Sequence, residues 1–278
     1  MIQKQIERER KLSTTATRLS YGSRTDIGNV RSENQDAFGK FPADSLDFAA
    51  PKGQMFIVAD GMGGHRGGRE ASALAVNTIQ EAYFADPSDS VGKRLRNAFQ
   101  TANEAIYQYG RKDPSLAAMG TTCSALVLKD NRAFVAHVGD SRVYRIARSS
   151  IRQLTQDHSE VAEMVRRRML TKEQAEKHPK RSILYRALGV GQVVEVDLIE
   201  DLTLSADEYY LLCSDGLYNN VHDDEMHDLV LSNPPQEACD AMVNLANERG
   251  GQDNITVQVI HLQGPPSVLD SVKRLLSR

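Results

Sequence analysis

The sequence has few cysteines, no excess of basic residues and no long apolar run. Its three cysteines, Cys123, Cys213 and Cys239, are too scattered for a disulfide framework or a CxxC metal site. A formal net charge of -3 argues against a nucleic-acid partner. No apolar stretch approaches the roughly 20 residues of a membrane span, and the charged start lacks the apolar core of a signal peptide. We therefore expect a cytoplasmic protein with buried, unreactive thiols.

The composition is otherwise that of an ordinary folded chain. Apolar residues make up 40% of the 278 residues and charged residues make up 26%, so disorder is a poor description of the whole. The polar segment 1–19 predicts an N-terminal extension, and a Gly-Pro-Pro break predicts a separate C-terminal tail over 263–278. Between them, residues 20–262 are expected to form one domain.

Apolar patterning along this domain predicts short strands and longer amphipathic helices. The strands are expected at 54–59, 124–128, 133–138, 142–146, 193–198, 208–213 and 255–260. The helices are expected at 70–84, 91–109, 161–170, 172–177 and 236–248. Strands and helices come in blocks instead of strict alternation, which favours an α+β fold over a doubly wound parallel sheet.

Aspartates beside apolar runs are the most informative feature. Aspartate accounts for 21 of the 37 acidic residues. Four of them lie next to strand-like runs and beside a turn residue: Asp60, Asp140, Asp215 and Asp253. One such residue is an ordinary turn signal. Four of them indicate that strands deliver carboxylates to one edge, where a cation would have to offset their repulsion.

The expected ligands of that cation are oxygen atoms. Oxygen ligands without histidine or cysteine select hard ions, which favours Mg²⁺ or Mn²⁺ over Zn²⁺. Two such ions that share a carboxylate can activate a bridging water and hold the oxygens of an in-line displacement. Phosphate ester hydrolysis is the chemistry that suits this arrangement.

Two further segments fit such a site, although each has an ordinary alternative. The glycine-rich run 60–68 lacks the pattern of a nucleotide P-loop and could bring backbone such as the Gly61 carbonyl close to a metal. Its alternative is a flexible surface turn. In the segment 25–36, Arg31 offers a planar fork for phosphate oxygens, and Asp36 offers a carboxylate for a metal-bound water. Its alternative is a solvated arginine beside an ordinary loop carboxylate.

Eight motifs in order carry a resemblance to a known family. They are TDIGNVRSENQDA, VADGMGGH, GTTCSALVL, HVGDSRVYR, LTQDHS, RALG, LLCSDGLYN and GGQDNITV. Their order and spacing resemble those of the metal-dependent serine/threonine protein phosphatases of type 2C, in particular the bacterial branch, over about residues 20–262. The resemblance implies two packed antiparallel sheets flanked by helices, which agrees with the α+β pattern.

The resemblance also implies a set of metal ligands. Asp60 matches the ligand that bridges two core ions, and Gly61 matches a residue that binds one of them through its carbonyl. Asp215 and Asp253 match the acids that complete the other ion. Asp140 matches a ligand of a third, weaker ion found in bacterial members.

Three further positions match functional parts of the family. Arg31 matches the phosphate-binding arginine, and Asp36 matches an acid that acts through a metal-bound water. The segment at about 159–187 matches a mobile flap. Its basic run at 166–168 could meet phosphopeptides, but a solvated helix face is the favoured interpretation.

The sequence departs from the eukaryotic pattern at two places. Met62 stands where those members have a histidine assigned as the general acid, and Gln35 replaces their glutamate. His65 lies three residues further on, so the role is not transferred to it. We expect a metal-bound water or another residue to donate the proton to the leaving group. His137 and His158 are interpreted as structural histidines.

The residues and the resemblance together imply a hydrolase that removes phosphate from phosphoserine and phosphothreonine in proteins. The expected partners are phosphoproteins and a cognate serine/threonine kinase, and the enzyme is expected to act as a monomer. One alternative is a non-catalytic sensor or scaffold on the same fold, which the filled acidic positions disfavour. Another is a metal-dependent phosphodiesterase, which the acidic balance and the lack of an aromatic-lined basic groove disfavour.

Overall fold

A computed structural model describes residues 18–47, 49–63 and 65–264. The strands within these ranges are β1 (Arg18–Asp26), β2 (Asp36–Phe41), β3 (Gln54–Met62), β4 (Gly120–Thr121), β5 (Cys123–Lys129), β6 (Arg132–Val138), β7 (Arg142–Ala147), β8 (Ser150–Gln153), β9 (Asp197–Thr203), β10 (Glu208–Cys213) and β11 (Ile255–Gln263). The helices are α1 (His65–Ala85), α2 (Val91–Lys112), α3 (Glu160–Arg166), α4 (Lys172–Glu176), α5 (Asp215–Tyr218), α6 (Asp223–Ser232) and α7 (Pro235–Glu248).

The strands form two antiparallel sheets that pack face to face. One sheet has the order β1-β11-β10-β7-β8, and the other has the order β2-β3-β5-β6-β9 with β4 paired to β3. Helices α1 and α2 cover the outer face of the second sheet, and α6 and α7 cover the outer face of the first. This arrangement confirms the predicted α+β sandwich of two antiparallel sheets flanked by helices.

The core consists of one apolar layer between the sheets and one beneath each pair of helices. Phe56 from β3 and Leu212 from β10 are fully buried in the layer between the sheets. Helix α2 buries an apolar stripe that includes Leu95, Phe99 and Ile106. Burial of such side chains contributes about 1.5–3 kcal/mol each, so these layers hold the sheet ends in fixed relative positions.

The prediction of a strand at 193–198 is wrong. The strand in this region is β9, which begins at Asp197, and Val193 is 79% exposed. Val194 instead packs beside α2, where Gln100 Nε2 donates to its carbonyl at 2.6 Å. Strands β1 and β2 were not predicted at all, because their sequences lack an apolar run.

The segment between β8 and β9 stands apart from the sandwich. It carries α3 and α4, which pack on each other, and about half of its residues are exposed. Ser159 bridges to Leu184, so its two ends lie side by side. We call residues 159–187 the flap segment. Residues 1–17 and 265–278 lie outside the described ranges, so the division into extension, domain and tail stays a prediction. No helix within the described ranges is long and apolar enough to cross a membrane.

Candidate active site

Each sheet brings two aspartates to the same region of the sandwich. Asp36 begins β2 and pairs directly with Asp60 in β3. Asp215 comes just after β10, and Asp253 comes just before β11, the neighbouring strand. Pairing within each sheet and packing between the sheets thereby make neighbours of four distant sequence positions.

A cavity of about 370 Å³ opens where these elements meet. Six of the seven predicted site residues line it: Arg31, Asp60, Gly61, Asp140, Asp215 and Asp253. The seventh, Asp36, lies next to this wall, where Ser214 Oγ donates to its Oδ2 at 2.7 Å. The structure therefore brings all seven residues together, while their individual roles stay predictions.

Burial and mutual repulsion raise the pKa values of Asp36, Asp60, Asp140 and Asp215. Burial raises the pKa of Asp36 to about 7 and that of Asp215 to about 6, and the charge of Asp253 adds to both shifts. Burial, followed by neighbouring aspartate charges, holds the pKa values of Asp60 and Asp140 well above their ordinary range. A divalent cation in the cavity would offset this repulsion and favour the ionised carboxylates.

Two buried carboxylate oxygens of this site lack a hydrogen-bond partner. Within the described part of the chain, these are Asp36 Oδ1 and Asp215 Oδ1. The other oxygen of Asp215 accepts from Asn219 Nδ2 at 3.1 Å. A buried carboxylate oxygen without a partner costs free energy unless a cation or water contacts it. Because the donor set is oxygen only, it fits a hard divalent cation.

Gly61 brings backbone to the cavity wall where no side chain fits. A Cβ here would clash with the Gly68 carbonyl oxygen and lie 2.8 Å from that of Gln35, so only glycine fits between β3 and the first turns of α1. Among the residues that the structure describes, no three acidic, histidine or cysteine side chains already form a metal site. A cation would therefore take further ligands from backbone carbonyls and water, as Mg²⁺ commonly does.

Two threonines that we did not single out from the sequence fix the backbone of Asp60. Thr122 Oγ1 accepts from the Asp60 N–H at 3.0 Å, and Thr121 Oγ1 donates to the Asp60 carbonyl at 2.8 Å. The Asp-Gly pair indicated that Asp60 lies at the end of a strand. Strand β3 instead continues to Met62, so Asp60 lies inside the strand. The signal available was the motif GTTCSALVL, which contains both threonines.

Asn254 is a third residue that we did not single out. Its Oδ1 accepts from the Gln35 N–H at 2.8 Å, and its Nδ2 donates to the carbonyls of Ile27 and Glu33 at 2.9 and 3.0 Å. It thereby ties the loop that carries Arg31 to the start of β11. The signal available was the motif GGQDNITV, in which Asn254 directly follows Asp253.

Arg31 lies at the mouth of the cavity. Its Nη2 donates to Asp253 Oδ2 at 2.7 Å, and this bond is the main cause that raises the pKa of Arg31. The side chain is 54% exposed, so the rest of the guanidinium faces solvent. The fork of an arginine can hold two phosphate oxygens with parallel hydrogen bonds.

Other predicted features have mixed outcomes. Met62 lines the cavity, so the departure from the eukaryotic pattern lies at the site itself. The side chain of His65 lies outside the described residues. Arg166 and Arg167 both pair with Glu163 on the surface of α3. This pairing agrees with a solvated helix face.

Comparisons with known proteins agree with this geometry. The family model described as Protein phosphatase 2C matches residues 30–257. The serine/threonine phosphatase stp of Listeria monocytogenes is 39% identical over 242 residues, which cover 85% of this chain and 93% of the relative. The crystal structure of the Mycobacterium tuberculosis serine/threonine phosphatase PstP/Ppp matches with a TM-score of 0.77 and 32% identity, covering 89% of this chain and 100% of that one.

A second solved structure bears on the metals. It is the catalytic domain of the serine/threonine protein phosphatase PstP in complex with two manganese ions. It matches with a TM-score of 0.76 and 30% identity, and covers 89% of this chain and 100% of that one. The fold, the carboxylate-lined cavity and these similarities agree, and the chain belongs to the protein phosphatase 2C family of metal-dependent serine/threonine protein phosphatases.

Proposed function

We propose that this enzyme removes phosphate from phosphoserine and phosphothreonine in proteins with two core cations, Mg²⁺ or Mn²⁺, held in the cavity. The proposal rests on the aspartate cluster, by which we mean Asp36, Asp60, Asp140, Asp215 and Asp253. Carboxylates from both sheets meet there, and burial raises the pKa values of Asp36, Asp60, Asp140 and Asp215. Asp36 and Asp215 each have a buried oxygen without a partner. This combination is typical of a site that cations complete.

Asp60 is assigned the position that bridges the two core cations. It is the central member of the aspartate cluster, because the charges of all four other members raise its pKa after burial has done so. The Gly61 carbonyl would hold one cation, and Asp215 and Asp253 would complete the other. When bound, the cations neutralise these carboxylates and supply the Lewis acidity that makes water a nucleophile near neutral pH.

The two remaining aspartates are assigned peripheral roles. Asp36 Oδ2 is held by Ser214, so its Oδ1 is left to accept a hydrogen bond from water in the cavity. Asp140 is assigned to a third, weaker cation. Arg142 lies close enough to lower the pKa of Asp140 against the effect of burial, and a nearby positive charge weakens cation binding.

Arg31 and the flap segment are assigned to the substrate. The exposed Arg31 guanidinium would bind two oxygens of the phosphate, with Asp253 holding one of its nitrogens in place. Ser182 and Leu184 of the flap segment line the same cavity, so an arriving phosphopeptide would meet them. Met62 has no proton to give, so the leaving oxygen would take its proton from water.

We further propose that the enzyme acts as a cytoplasmic monomer on phosphoproteins made by a cognate serine/threonine kinase. Its three cysteines are free and buried, and burial raises the pKa of Cys239 to about 12. Thiols of this kind agree with a reducing compartment. The division into an extension (1–19), a catalytic domain (20–262) and a tail (263–278) belongs to the same proposal, and the pairing of β1 with β11 near its two ends supports it.

Hydrolysis of a phosphothreonine peptide tests this function. We expect turnover with Mn²⁺ or Mg²⁺, none with a chelator, and none in Asp215→Asn. Asp228→Asn, at a carboxylate on α6 with 85% exposure, is the matched control and should keep full activity. Metal-independent turnover, or turnover that survives in Asp215→Asn, would contradict the mechanism. Faster hydrolysis of bis(p-nitrophenyl) phosphate than of the peptide would favour a phosphodiesterase, and cation binding without any hydrolysis would favour a scaffold.

A further inference from the structure

The base of the flap segment is built around two neighbouring histidines whose ring planes are tilted by 36°. The ring centroids of His137 and His158 lie 4.8 Å apart, and both side chains are buried. Arg186 and Asp197 bond to each other, and each lies 3.2 Å from Nε2 of His158. We call His137, His158, Arg186 and Asp197 the histidine cluster. None of the four lines the catalytic cavity, yet the cluster lies directly beside Asp140.

His158 holds Gly139 by two hydrogen bonds. Its backbone N–H donates to the Gly139 carbonyl at 2.7 Å, and its ring Nδ1 accepts from the Gly139 N–H at 3.0 Å. Gly139 has a φ of +107°, and a Cβ there would clash with Thr122, so this conformation requires glycine. The next residue is Asp140. The two bonds therefore fix the backbone from which the Asp140 carboxylate enters the cavity.

The second ring nitrogen of His158 faces the flap segment. Because Nδ1 accepts a hydrogen bond, the proton of the neutral ring is assigned to Nε2. This nitrogen lies 3.2 Å from Asp197 Oδ2, and Asp197 Oδ1 accepts from Arg186 Nη1 at 2.6 Å. Arg186 is close to the end of the flap segment. Arg186 Nη1 also lies 3.2 Å from Nε2. The ring therefore reaches the flap segment by contact with Arg186 and through the Asp197 carboxylate.

The backbone of His158 also contacts the flap segment where its two ends meet. The His158 carbonyl accepts from the Tyr185 N–H at 2.9 Å, and the ring centroids of the two residues lie 5.7 Å apart. Glu160 N–H, near the other end, donates to the Ile183 carbonyl at 2.9 Å. One residue thus contacts both the Asp140 loop and the base of the flap segment.

We propose that His158 is a positioning residue that joins the flap segment to the Asp140 backbone, with one ring nitrogen serving each. The inference goes beyond the function proposed above and rests on it for the cation role of Asp140. The Nδ1 side holds Asp140 in place, and the Nε2 side holds the flap segment through Asp197 and Arg186. If His158 only filled space, a substitution would weaken the Asp140 site and the flap segment to the same degree, in proportion to the loss of folding stability.

Two substitutions separate the two ring nitrogens. In His158→Asn, the side-chain oxygen takes roughly the place of Nδ1 and can still accept from Gly139, but the side chain is too short to reach Asp197. In His158→Gln, the amide nitrogen takes roughly the place of Nε2 and can still donate to Asp197, but the Gly139 N–H loses its acceptor. Each variant therefore removes one bond and keeps the other.

The two variants should differ in two measurements. We expect His158→Asn to accelerate tryptic cleavage within the flap segment of the cation-free protein about five- to tenfold, and to leave Mn²⁺ titration of the weakest site unchanged. We expect His158→Gln to raise the half-saturating Mn²⁺ concentration of that site by a similar factor and to leave cleavage unchanged. These factors are what the loss of one hydrogen bond gives. Asp197→Asn, at a partly exposed carboxylate, should reproduce the faster cleavage.

Control proteins decide how these results are interpreted. His137→Gln replaces the ring that packs beside His158 and should lower thermal stability without separating the two measurements. Equal changes of both measurements in both His158 variants, or no change in either variant, would overturn the inference. Asp140→Asn distinguishes the two proposals. If it leaves the Mn²⁺ titration unchanged, the assigned role of Asp140 fails, while the tryptic comparison still tests the link to the flap segment.

Discussion

The aspartate cluster and the histidine cluster are two neighbouring groups of buried polar side chains that differ in how their bonding is satisfied. In the aspartate cluster, Asp36 and Asp215 each have a buried oxygen without a partner, whereas no such atom belongs to the histidine cluster within the described chain. One cluster collects charges of a single sign, and the other places Arg186 between Asp197 and Glu195. A satisfied network makes the structure rigid, and an unsatisfied one requires a ligand.

Burial acts on both clusters in the same way but with opposite effects on their pKa values. It raises the pKa of Asp36 to about 7 and lowers the pKa of His137 to about 4. Both shifts favour the neutral side chain. Added cations can reverse the effect only in the aspartate cluster. We therefore expect the aspartate cluster to carry the chemistry and the histidine cluster to support the structure around it.

The largest effect is expected for Asp60→Asn. We expect kcat/KM for a phosphothreonine peptide to fall at least about 10³-fold, because the cations supply several kcal/mol of charge stabilisation in such reactions. Thermal unfolding of the cation-free protein should stay unchanged or shift upward, since one repelling carboxylate is removed. A marked loss of stability in the cation-free protein would show that the aspartate cluster also supports the fold. The proposed difference in role between the two clusters would then be wrong.

Protonation of His137 is expected to lower the free energy of unfolding in acid. Its pKa is about 4 in the folded protein against an ordinary value of 6.5, so the unfolded chain binds the proton first as the pH falls. This contribution is fully present above about pH 6.5 and is lost toward pH 4, by roughly 3 kcal/mol. The difference between wild type and His137→Gln in urea unfolding from pH 7 to 4 measures it. Parallel curves would contradict the prediction.

The aspartate cluster should show the opposite dependence in cation-free protein. A carboxyl whose folded pKa exceeds its unfolded value makes the folded state bind more protons, so stability falls as the pH rises through that range. Since burial raises the pKa of Asp36 from 3.8 to about 7, we expect stability to decrease from about pH 4 to about pH 7, and the decrease near pH 6.5–7 is the part where His137 is already neutral. Mn²⁺ at 100 times its dissociation constant should remove this slope and add about 2.7 kcal/mol. A slope that persists with Mn²⁺ would count against the assigned cation ligands.

The smallest effect is expected for Arg31→Lys. Lysine keeps the charge but loses the fork, and one charge-assisted hydrogen bond contributes about 1.5–3 kcal/mol. We therefore expect kcat/KM to fall about 10- to 100-fold, with weaker inhibition by inorganic phosphate and little change in unfolding temperature. Arg167→Lys, in the surface pair with Glu163, is the control and should change neither quantity. Equal effects in the two variants would show that Arg31 does not bind the phosphate.

Sequence patterns predicted several of the strands and helices that have an apolar face. The predicted strand 208–213 coincides with β10, and helix α2 begins at Val91 as predicted. Strand β1 was not predicted, because RLSYGSRTD has few apolar residues and its pairing with β11 holds it in the sheet. The apolar residues at 193–196 suggested a strand, yet this stretch packs irregularly beside α2 before β9 begins.

The sequence by itself determined which side chains bring chemistry to this protein. The motif order identified the family, and the choice of aspartate without histidine or cysteine indicated hard divalent cations. Both conclusions depend only on residue type and spacing, which the sequence contains in full.

Only the tertiary structure decided how these side chains meet. Ser214 and Asp36 are 178 residues apart and share a hydrogen bond across the two sheets, and His158 links Gly139 to Asp197. Such contacts depend on strand register and on the packing of the sheets, which no local pattern specifies. Burial then set the pKa values of the aspartates and histidines, because desolvation depends on every element that surrounds a charge.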